Sequence, residues 1–397
     1  MNIVQAERME QATLSGIWRV LHKVTQLKAQ GKEVVDLTVG QPDFPTPDYI
    51  KKGGIDAIAQ NITTYPPIMG TSKLREAIST VCLKNRGRDY EADEIIITCG
   101  VTHGMYVAMG AYLNPTDEII LPNPAYDCYN ILPHLFGATI KSYDLLEENH
   151  YQIDLKQLDS LITEKTKMIV LISPNNPTGS ILSEDSLQGV AKAVRGKNIV
   201  VLSDEIYDQI SYDGTTPFSI TQLDGMKEQC ILMNGFSKYY SMTGLRIGYM
   251  ASTKELLDPL LRLSFLSVIC SNSIAMEAAY VAITQEDDSC RNMISQFQKR
   301  RDYLYQELNK IPGISCLKPQ GAFYLFLNIK ETKMSSQEFS DYLLFEHFVA
   351  TVPGTEFGLA GEGYVRLSFA SDMENMKKAV AGIKEAIACL NIEQNKR

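Results

Sequence analysis

The sequence predicts an α/β fold in which a mostly parallel sheet lies between two layers of helices, followed by a smaller α+β domain. Three runs of four or five apolar residues, MIVLI (168–172), IVVL (199–202) and CILM (230–233), are typical of strands covered on both faces. Strand-like runs alternate with helical patterns from about residue 70 to residue 250. This βα alternation indicates a three-layer domain built on a parallel sheet.

The pattern changes after about residue 285. A charged helical segment, SQFQKRRDYLYQELNKI, precedes strand-like GAFYLFLNI, helical SQEFSDYLLFEHF, strand-like YVRLSFA and a last amphipathic helix. We therefore predict a large domain over 46–284 and a discontinuous small domain over 1–45 and 285–397. An N-terminal helix at about 11–30 packs with the small domain in this interpretation. The two prolines in GQPDFP (40–45) exclude a helix there and predict a loop between the domains.

The composition favours small-molecule chemistry. The 397 residues carry a net charge of −9 without runs of Lys or Arg, which argues against binding to nucleic acid or to an anionic membrane. No apolar stretch reaches membrane-spanning length and no signal peptide is recognisable, so we expect a cytoplasmic protein. The eight cysteines lie far apart without a CxxC motif, so we expect reduced thiols and no metal site.

Polar loops follow the three buried runs, and each loop carries residues suited to chemistry. They are SPNNPTG with Asn176, SDEIYD with Asp204 and Tyr207, and NGFSK with Lys238. Ligands of open parallel sheets bind at the carboxyl ends of the strands, so we expect these side chains to meet at one edge. Together they suit an aromatic, phosphate-bearing aldehyde cofactor that forms a Schiff base with the lysine.

Lys238 is the residue on which this interpretation depends. A lysine becomes nucleophilic toward carbonyls when burial or a nearby cation lowers its pKa, and Arg246, eight residues on, is a candidate cation that would also bind a phosphate. Most lysines are surface residues, but few follow a buried strand.

Asp204 would hold a pyridine nitrogen in its protonated form, which makes the ring an electron sink. The alternative is a helix N-cap. Tyr207 and Asn176 can hydrogen-bond a ring hydroxyl, although an asparagine before proline is also a common turn residue.

Two further segments of the sequence are candidates for contacts with the phosphate and the ring of the cofactor. After strand-like EIIIT, the run Gly100-Val101-Thr102 opens a helical pattern, so backbone N–H groups and a hydroxyl face any anion bound there. Tyr126 follows another strand, DEIILP, and can stack on a cofactor or pack as a core aromatic. Arg366, in the strand-like YVRLSFA, is a candidate for a bidentate contact with a substrate carboxylate.

A series of motifs gives the chain a family resemblance over nearly its whole length. The chain resembles the class I pyridoxal-phosphate aminotransferases of fold type I, in the aspartate/aromatic aminotransferase branch. The motifs, in the family's order, are VGQPDF, YPPIMGTSKLREAI, TCGVTHG, NPAYDCY, SPNNPTG, SDEIYD, NGFSKYYSMTGLRIGY, GAFYLF, VPGTEFG and YVRLSFA.

The resemblance implies pyridoxal 5'-phosphate as cofactor and a homodimer as the assembly. Tyr65 matches a tyrosine that reaches the phosphate from the neighbouring subunit, and Ser237 stands near the phosphate. The α-carboxylate contacts match Arg366 and Gly40, with Asn176 beside them. The remaining cofactor contacts implied are the Schiff base at Lys238, the ring nitrogen at Asp204, the ring oxygen at Asn176 and Tyr207, the ring face at Tyr126, and the phosphate at Arg246, Gly100, Val101 and Thr102.

Two departures from the family concern the phosphate and the substrate. Gly235 stands where many members have a phosphate-binding serine, and Thr102 stands where aspartate-using relatives often have a lysine. The second departure weakens an aspartate specificity. His103 is next to that position, where a structural role is the commoner one.

The reaction that the resemblance implies is ping-pong transamination between an L-amino acid and a 2-oxo acid, 2-oxoglutarate being the usual acceptor. The alternative keeps the cofactor but changes the reaction, to β-elimination or to oxygen-dependent oxidation or hydroxylation. A non-catalytic binding protein and a nucleotide-dependent dehydrogenase are weaker alternatives, because Lys238, Asp204 and Arg366 are all present and no GxGxxG follows a strand.

Overall fold

The computed structural model describes residues 3–285 and 287–394, with side chains described as far as residue 390. The α-helices and strands alternate from residue 72 to residue 204, as the sequence pattern predicts, whereas the three strands between residues 200 and 251 follow one another without an α-helix between them. Over the described residues the α-helices are α1 (Gly16–Ala29), α2 (Asp48–Ala59), α3 (Ser72–Ala77), α4 (Val101–Tyr112), α5 (Cys128–Leu135), α6 (Leu155–Leu161), α7 (Glu184–Val194), α8 (Lys254–Val268), α9 (Ser273–Thr284), α10 (Ser289–Leu308), α11 (Ser336–His347) and α12 (Met373–Gln394).

The largest sheet has seven strands and carries the site. Its strands are β2 (Ile95–Thr98), β3 (Glu118–Asn123), β4 (Thr139–Asp144), β5 (Thr166–Ile172), β6 (Val200–Asp204), β7 (Cys230–Gly235) and β8 (Gly248–Ala251). They lie in the order β2-β8-β7-β6-β5-β3-β4, and β8 runs antiparallel to both of its neighbours. The other pairings are parallel. The predicted α/β fold with a mostly parallel sheet is confirmed.

The strands β5, β6 and β7 are adjacent and buried on both faces. In β7, Ile231 and Met233 pack into an apolar cluster on one face, whereas Cys230 and Leu232 pack into clusters on the other. Side chains of a strand alternate between its faces, so a strand covered on both sides needs apolar residues at every position. This is why the three apolar runs could be recognised in the sequence.

Two small sheets are built from the ends of the chain. They contain β1 (Val35–Asp36), β9 (Tyr324–Asn328), β10 (Val349–Ala350), β11 (Val352–Pro353) and β12 (Tyr364–Ser368). β1 pairs in parallel with β10, and β12 lies between β11 and β9 in an antiparallel sheet. Helices α10, α11 and α12 pack together beside these strands. The predicted boundaries between the two domains stay a prediction.

Helix α1 begins later than the sequence pattern indicates. The prediction placed its start near residue 11, but Ser15 is still extended, with φ −45° and ψ 131°, and the helix begins at Gly16. Leu14 is 82% exposed, so the residues before Ser15 bury no apolar face. Because helices in proteins depend on such packing more than on intrinsic propensity, the helix does not extend there.

Two expectations from composition concern membranes and cysteines. None of the helices in the described part of the chain is long and apolar enough to cross a bilayer. The cytoplasmic location stays a prediction. All eight cysteines lie among the described residues, and none of them forms a disulfide.

Candidate active site

A cavity of about 480 Å³ opens at the carboxyl ends of β5, β6 and β7. Asp204 is the last residue of β6, Lys238 follows the end of β7 by three residues, and Asn176 follows the end of β5 by four. Because the three strands are parallel and adjacent, their following loops meet at one edge. All but two of the predicted site residues line this cavity: Gly40, Val101, Thr102, Tyr126, Asn176, Asp204, Tyr207, Ser237, Lys238, Arg246 and Arg366.

The two exceptions are Gly100 and Tyr65. Gly100 lies directly behind Arg246, because a Cβ atom at Gly100 would stand 2.6 Å from Arg246 Nη2. Tyr65 lies on the surface, 80% exposed, and does not line the cavity of its own chain.

Lys238 is a half-buried lysine whose amine lies in a positive environment. Its Nζ donates a hydrogen bond to the carbonyl oxygen of Gly40 at 2.6 Å. Burial, together with the charges of Arg366 and Arg246, lowers the pKa of Lys238 to about 8, and the carboxylate of Asp204 opposes this shift. The lysine therefore has a substantial neutral, nucleophilic fraction near neutral pH.

Asp204 is a buried carboxylate at the base of the cavity. Its Oδ2 accepts a hydrogen bond from Tyr129 Oη at 2.7 Å, and its Oδ1 accepts one from the N–H of Ile206 at 3.1 Å. Burial raises the pKa of Asp204 to about 6, and these two hydrogen bonds limit the rise. The alternative role of Asp204 as a helix N-cap is wrong, because turns rather than a helix follow β6.

Arg366 lines the same cavity and is held there by two hydrogen bonds and two aromatic rings. Its Nη1 donates to Asn176 Oδ1 at 2.9 Å and its Nη2 donates to the carbonyl of Thr38 at 2.6 Å. The guanidinium lies 4.4 Å from the ring centre of Tyr324 and 4.8 Å from that of Phe357. Such cation–π contacts and hydrogen bonds fix its plane, which suits it to a carboxylate.

Three glycines lie close together at the cavity: Gly100 before α4, Gly235 at the end of β7 and Gly248 at the start of β8. We call this region the cradle. Gly100 has φ 82° and precedes the helix, so the backbone N–H groups of its first turn are available at the cavity. In the β7–β8 pair, Gly235 lies opposite Gly248, and a Cβ atom at Gly235 would stand 3.0 Å from the Cα atom of Gly248. This close approach explains why no serine stands at position 235. Ser237 is buried and lines the cavity two residues later.

His103 connects the start of α4 to helix α8. Its Nδ1 accepts a hydrogen bond from the N–H of Cys99 at 3.2 Å, which leaves Nε2 to donate to Ser267 Oγ at 2.9 Å. Burial lowers the pKa of His103, in agreement with a neutral ring that accepts at Nδ1. These two contacts give His103 a structural role, because they join the start of α4 to α8.

Two tyrosines at the site were not assigned roles from the sequence. Tyr129 supports Asp204, and Tyr324 shares a 2.8 Å hydrogen bond between hydroxyl groups with Tyr207. Tyr324 also lines the cavity and would stand 2.9 Å from a Cβ atom at Gly40. Both tyrosines lie inside motifs that support the resemblance, NPAYDCY and GAFYLF, but nothing local indicates which partner each hydroxyl has.

The fold and the site together define a class of protein. Three groups lie at the carboxyl edge of the parallel sheet: a half-buried lysine of lowered pKa, a buried aspartate, and an arginine beside a helix start. They suit an enzyme that binds an aldehyde cofactor with a phosphate group. Arg246 forms no ion pair with any described residue, and its Nη1 donates to the carbonyl of Thr243 at 3.0 Å. The cradle therefore offers a cation and backbone donors to an anion.

Comparison with known proteins identifies the family. The family model described as aminotransferase class I and II matches residues 32–383. The probable N-acetyl-LL-diaminopimelate aminotransferase of Bacillus subtilis (strain 168) is 39% identical over 361 residues, which cover 91% of each chain. The aspartate aminotransferase of the same organism is 36% identical, covering 96% of this chain and 98% of the relative.

A solved structure agrees with these sequence matches. The aspartate aminotransferase from Thermus thermophilus with maleate superimposes with a TM-score of 0.92 at 31% identity, covering 97% of this chain and all of that one. The chain belongs to the class I and II aminotransferase family. It is a pyridoxal-phosphate-dependent transaminase of fold type I, which confirms the predicted family and cofactor.

A first prediction concerns the reactivity of Lys238 in cofactor-free protein. The rate of its condensation with pyridoxal 5'-phosphate should rise with pH and reach half its maximum near pH 8, because the amine loses its proton as pH rises through the lowered pKa of about 8. Stopped-flow absorbance measures this rate, and Lys238→Ala protein is the control for condensation at other lysines. A midpoint near 10.5, the ordinary pKa of lysine, would show that burial and the arginines do not act on it.

Proposed function

We propose that the enzyme moves the amino group of an L-amino acid to a 2-oxo acid, 2-oxoglutarate being the acceptor, by a ping-pong mechanism. The observation that carries this proposal is the placing of Lys238, Asp204 and Arg366 around one cavity, with the lysine pKa lowered to about 8. Lys238 would supply a nucleophile and base, Asp204 a counter-charge, and Arg366 an anchor for a carboxylate.

The residues around the cavity fit the cofactor, and we assign its contacts from them. Lys238 would bind the aldehyde carbon and Asp204 the ring nitrogen. When bound, pyridoxal phosphate supplies an electron sink for the negative charge that develops at the substrate Cα. The other assigned contacts are the ring oxygen at Asn176 and Tyr207, the ring face at Tyr126, and the phosphate at Arg246, Gly100, Val101, Thr102 and Ser237.

Substrate orientation is assigned to Arg366, Asn176 and Gly40. Arg366 binds the α-carboxylate, and its two hydrogen bonds and two ring contacts keep it from turning with the substrate. A fixed carboxylate limits the orientations open to the Cα–H bond, which is the positioning that this chemistry needs. Lys238, once its amine is free, would take the proton from the substrate Cα as a base and give it as an acid to the carbon of the cofactor's former aldehyde group.

The half-reaction tests this assignment. Incubating the holoenzyme with an amino acid alone should convert the cofactor to its amine form once per site and release one equivalent of 2-oxo acid, because no acceptor is present to regenerate the aldehyde. Absorbance spectra and product analysis measure both. Continuous release of ammonia or peroxide would instead indicate β-elimination or oxygen-dependent oxidation.

We also propose that the enzyme works as a homodimer in which Tyr65 completes the partner's site. Tyr65 is 80% exposed, although it is large and apolar. Further exposed apolar side chains lie on α4 and at the end of α8, two helices that pack against each other, namely Tyr106, Phe265, Leu266 and Val268. Apolar patches of this kind are typical of protein interfaces.

Mixing two defective variants tests the role of Tyr65 across the interface. Lys238→Ala and Tyr65→Ala proteins, each impaired alone, should regain about one quarter of wild-type activity after subunit exchange, because half the dimers then contain one intact site of two. The transaminase activity of the mixture, assayed at a limiting concentration of pyridoxal phosphate, measures this recovery. Failure to regain activity, with exchange shown by mass spectrometry of tagged subunits, would place Tyr65 outside the partner's site.

A further inference from the structure

Arg88 is a buried arginine that lies behind the loop carrying Asp204 and Tyr207. It is 1% exposed and does not line the cavity. Its Nη2 lies 2.5 Å from Glu205 Oε2, and its Nη1 donates a hydrogen bond to Asp208 Oδ2 at 2.9 Å. One guanidinium therefore binds two carboxylates that lie three residues apart in the chain.

The two carboxylates alternate in sequence with the residues that face the cavity. Asp204, Ile206 and Tyr207 line the cavity, whereas Glu205 and Asp208 do not. Each carboxylate belongs to the residue that directly follows one of the two assigned ring contacts, Asp204 and Tyr207. A shift of either carboxylate therefore moves the backbone of the cofactor contact beside it.

Backbone hydrogen bonds connect only the first part of this loop to the sheet. The N–H of Glu205 donates to the carbonyl of Met233, in β7, at 2.9 Å. Beyond it, the N–H of Asp208 donates to the carbonyl of Glu205 at 2.9 Å, and that of Ile210 to the carbonyl of Tyr207 at 2.8 Å. Those two bonds lie within the loop, so the contacts of Asp208 with other segments decide where the loop stands.

Arg88 is itself attached to the core of the large sheet's domain. Gly87 before it has φ 77°, a left-handed backbone conformation that ends a helical turn. The N–H of Arg88 then donates to the carbonyl of Leu83, a fully buried residue, at 3.0 Å. Arg86, from the same segment, donates from Nη2 to the carbonyl oxygen of Asp208 at 3.1 Å. Two arginines of one anchored segment therefore hold Asp208.

The environment of Glu205 matches this arrangement. Its Oε1 accepts hydrogen bonds from Ser203 Oγ at 3.0 Å and from Ser219 Oγ at 2.5 Å. Burial raises the pKa of Glu205, and the charge of Arg88 opposes that rise. Replacing a buried ion pair by apolar residues of similar volume is often neutral or stabilising, so stability alone does not explain such a cluster. A fixed position for the loop does explain it, because hydrogen-bonded ion pairs are directional.

We propose that Arg88 is a positioning residue for the two ring contacts of the cofactor, Asp204 and Tyr207. It acts through Glu205 and Asp208 and does not itself reach the cavity. A lysine at this position would keep the charge but not the two nitrogens of the guanidinium that bind separate carboxylates. This inference rests on the cofactor contacts assigned under the proposed function, and not on the reaction that follows.

A competing role for Arg88 is to stabilise the fold alone. In that case its replacement would weaken the binding of every ligand of the cavity to the same extent. An analogue of pyridoxal phosphate in which C–H replaces the ring nitrogen, the deaza analogue, separates the two roles. Its ring forms no hydrogen bond with Asp204, so it loses nothing when that carboxylate is displaced.

The experiment measures the binding of both ligands by absorbance titration of cofactor-free protein. The wild type should bind pyridoxal phosphate about tenfold or more tightly than the deaza analogue, as for a buried hydrogen bond to a charged group. Arg88→Lys should raise the dissociation constant of pyridoxal phosphate about tenfold and that of the analogue by less than about threefold. The preference of the protein for pyridoxal phosphate should therefore shrink or disappear.

Arg301 provides the matched control. It is fully buried on α10, outside the lining of the cavity, and it also binds two carboxylates, those of Asp213 at 2.9 Å and Asp302 at 2.7 Å. Arg301→Lys should retain the preference for pyridoxal phosphate even where it lowers the melting temperature of the protein. The visible circular dichroism of bound pyridoxal phosphate, which depends on the placing of the ring, should change in Arg88→Lys and not in Arg301→Lys.

A second variant covers the case in which Arg88→Lys does not fold. Asp208→Asn keeps the shape of the side chain and removes the charge that both Arg86 and Arg88 contact. It should reduce the preference for pyridoxal phosphate in the same direction as Arg88→Lys, because the turn that carries Tyr207 and Asp208 is less firmly held.

The outcomes distinguish this inference from the contacts on which it rests. An unchanged preference for pyridoxal phosphate in the folded variants, whether or not both ligands bind less tightly, would overturn the positioning role of Arg88 and leave the ring contacts in place. Equal binding of the two ligands by the wild type would overturn the assignment of Asp204 to the ring nitrogen, and this inference with it.

Discussion

Replacing Lys238 by alanine is expected to lower the rate of transamination by at least about 10⁴-fold, because one side chain supplies both the nucleophile and the base. The absorbance of the lysine-bound cofactor should disappear as well. Lys238 is a half-buried lysine of the cavity whose pKa is lowered to about 8, and its Nζ donates to the carbonyl oxygen of Gly40. Steady-state assays and absorbance spectra of the purified variant measure the two effects.

Two further variants separate the chemistry of Lys238 from its charge. Lys238→Arg keeps a cation in place but cannot lose its proton, so it should be as inactive as Lys238→Ala. Lys192→Ala removes an exposed lysine from the last turn of α7 and should have wild-type activity. Substantial activity in Lys238→Ala would contradict the central role of this lysine.

Replacing Asp204 by asparagine is expected to lower kcat on the order of 10³-fold while changing KM little. Asparagine keeps the shape of the side chain, and its single oxygen can accept the hydrogen bond from Tyr129 Oη or the one from the N–H of Ile206, but not both. It also removes the charge that would hold the ring nitrogen in its protonated form. Arg366, which anchors the substrate, is unchanged. A fall in kcat without a rise in KM is the pattern of a group that acts in the transition state.

The pH dependence of kcat is a second test of the role of Asp204. Burial raises the pKa of Asp204 to about 6, with Tyr129 limiting the rise, so the carboxylate is charged above pH 6 and becomes neutral as pH falls below it. A protonated ring nitrogen beside Asp204 favours the charged carboxylate and lowers its pKa in the holoenzyme, so wild-type kcat should decline only below pH 6, and Asp204→Asn should lack that decline. Asp144→Asn, at the end of β4 and outside the cavity, is the control for a strand-end aspartate. Near-normal kcat in Asp204→Asn would show that the charge has no part in the reaction.

Much of the fold was predictable from the sequence because the central strands are buried on both faces. Such strands leave uninterrupted apolar runs, as in MIVLI and CILM, and the residues that follow them necessarily reach the carboxyl edge of a parallel sheet. The start of α1 was placed too early, since the exposure of Leu14 depends on packing that a local pattern does not contain.

The candidate site was predicted in its residue types more fully than in its contacts. Lys238, Asp204 and Asn176 could be selected because each lies at the end of a buried strand or within four residues after it. Tyr129 and Tyr324 were left without roles, because a tyrosine in a helix or strand has no local sign of the partner that its hydroxyl will meet.

The sequence by itself determined which buried strands are followed by polar loops, and it determined the family and the cofactor, since these depend on residue types at positions close together in the chain. The tertiary structure alone decided the pairings that give those residues their chemistry. Tyr129 reaches Asp204 across 75 residues, Tyr207 meets Tyr324 across 117, and Arg366 meets Asn176 across 190. Burial raises the pKa of Asp204 and lowers that of Lys238, and burial is a property of the packed molecule rather than of any segment.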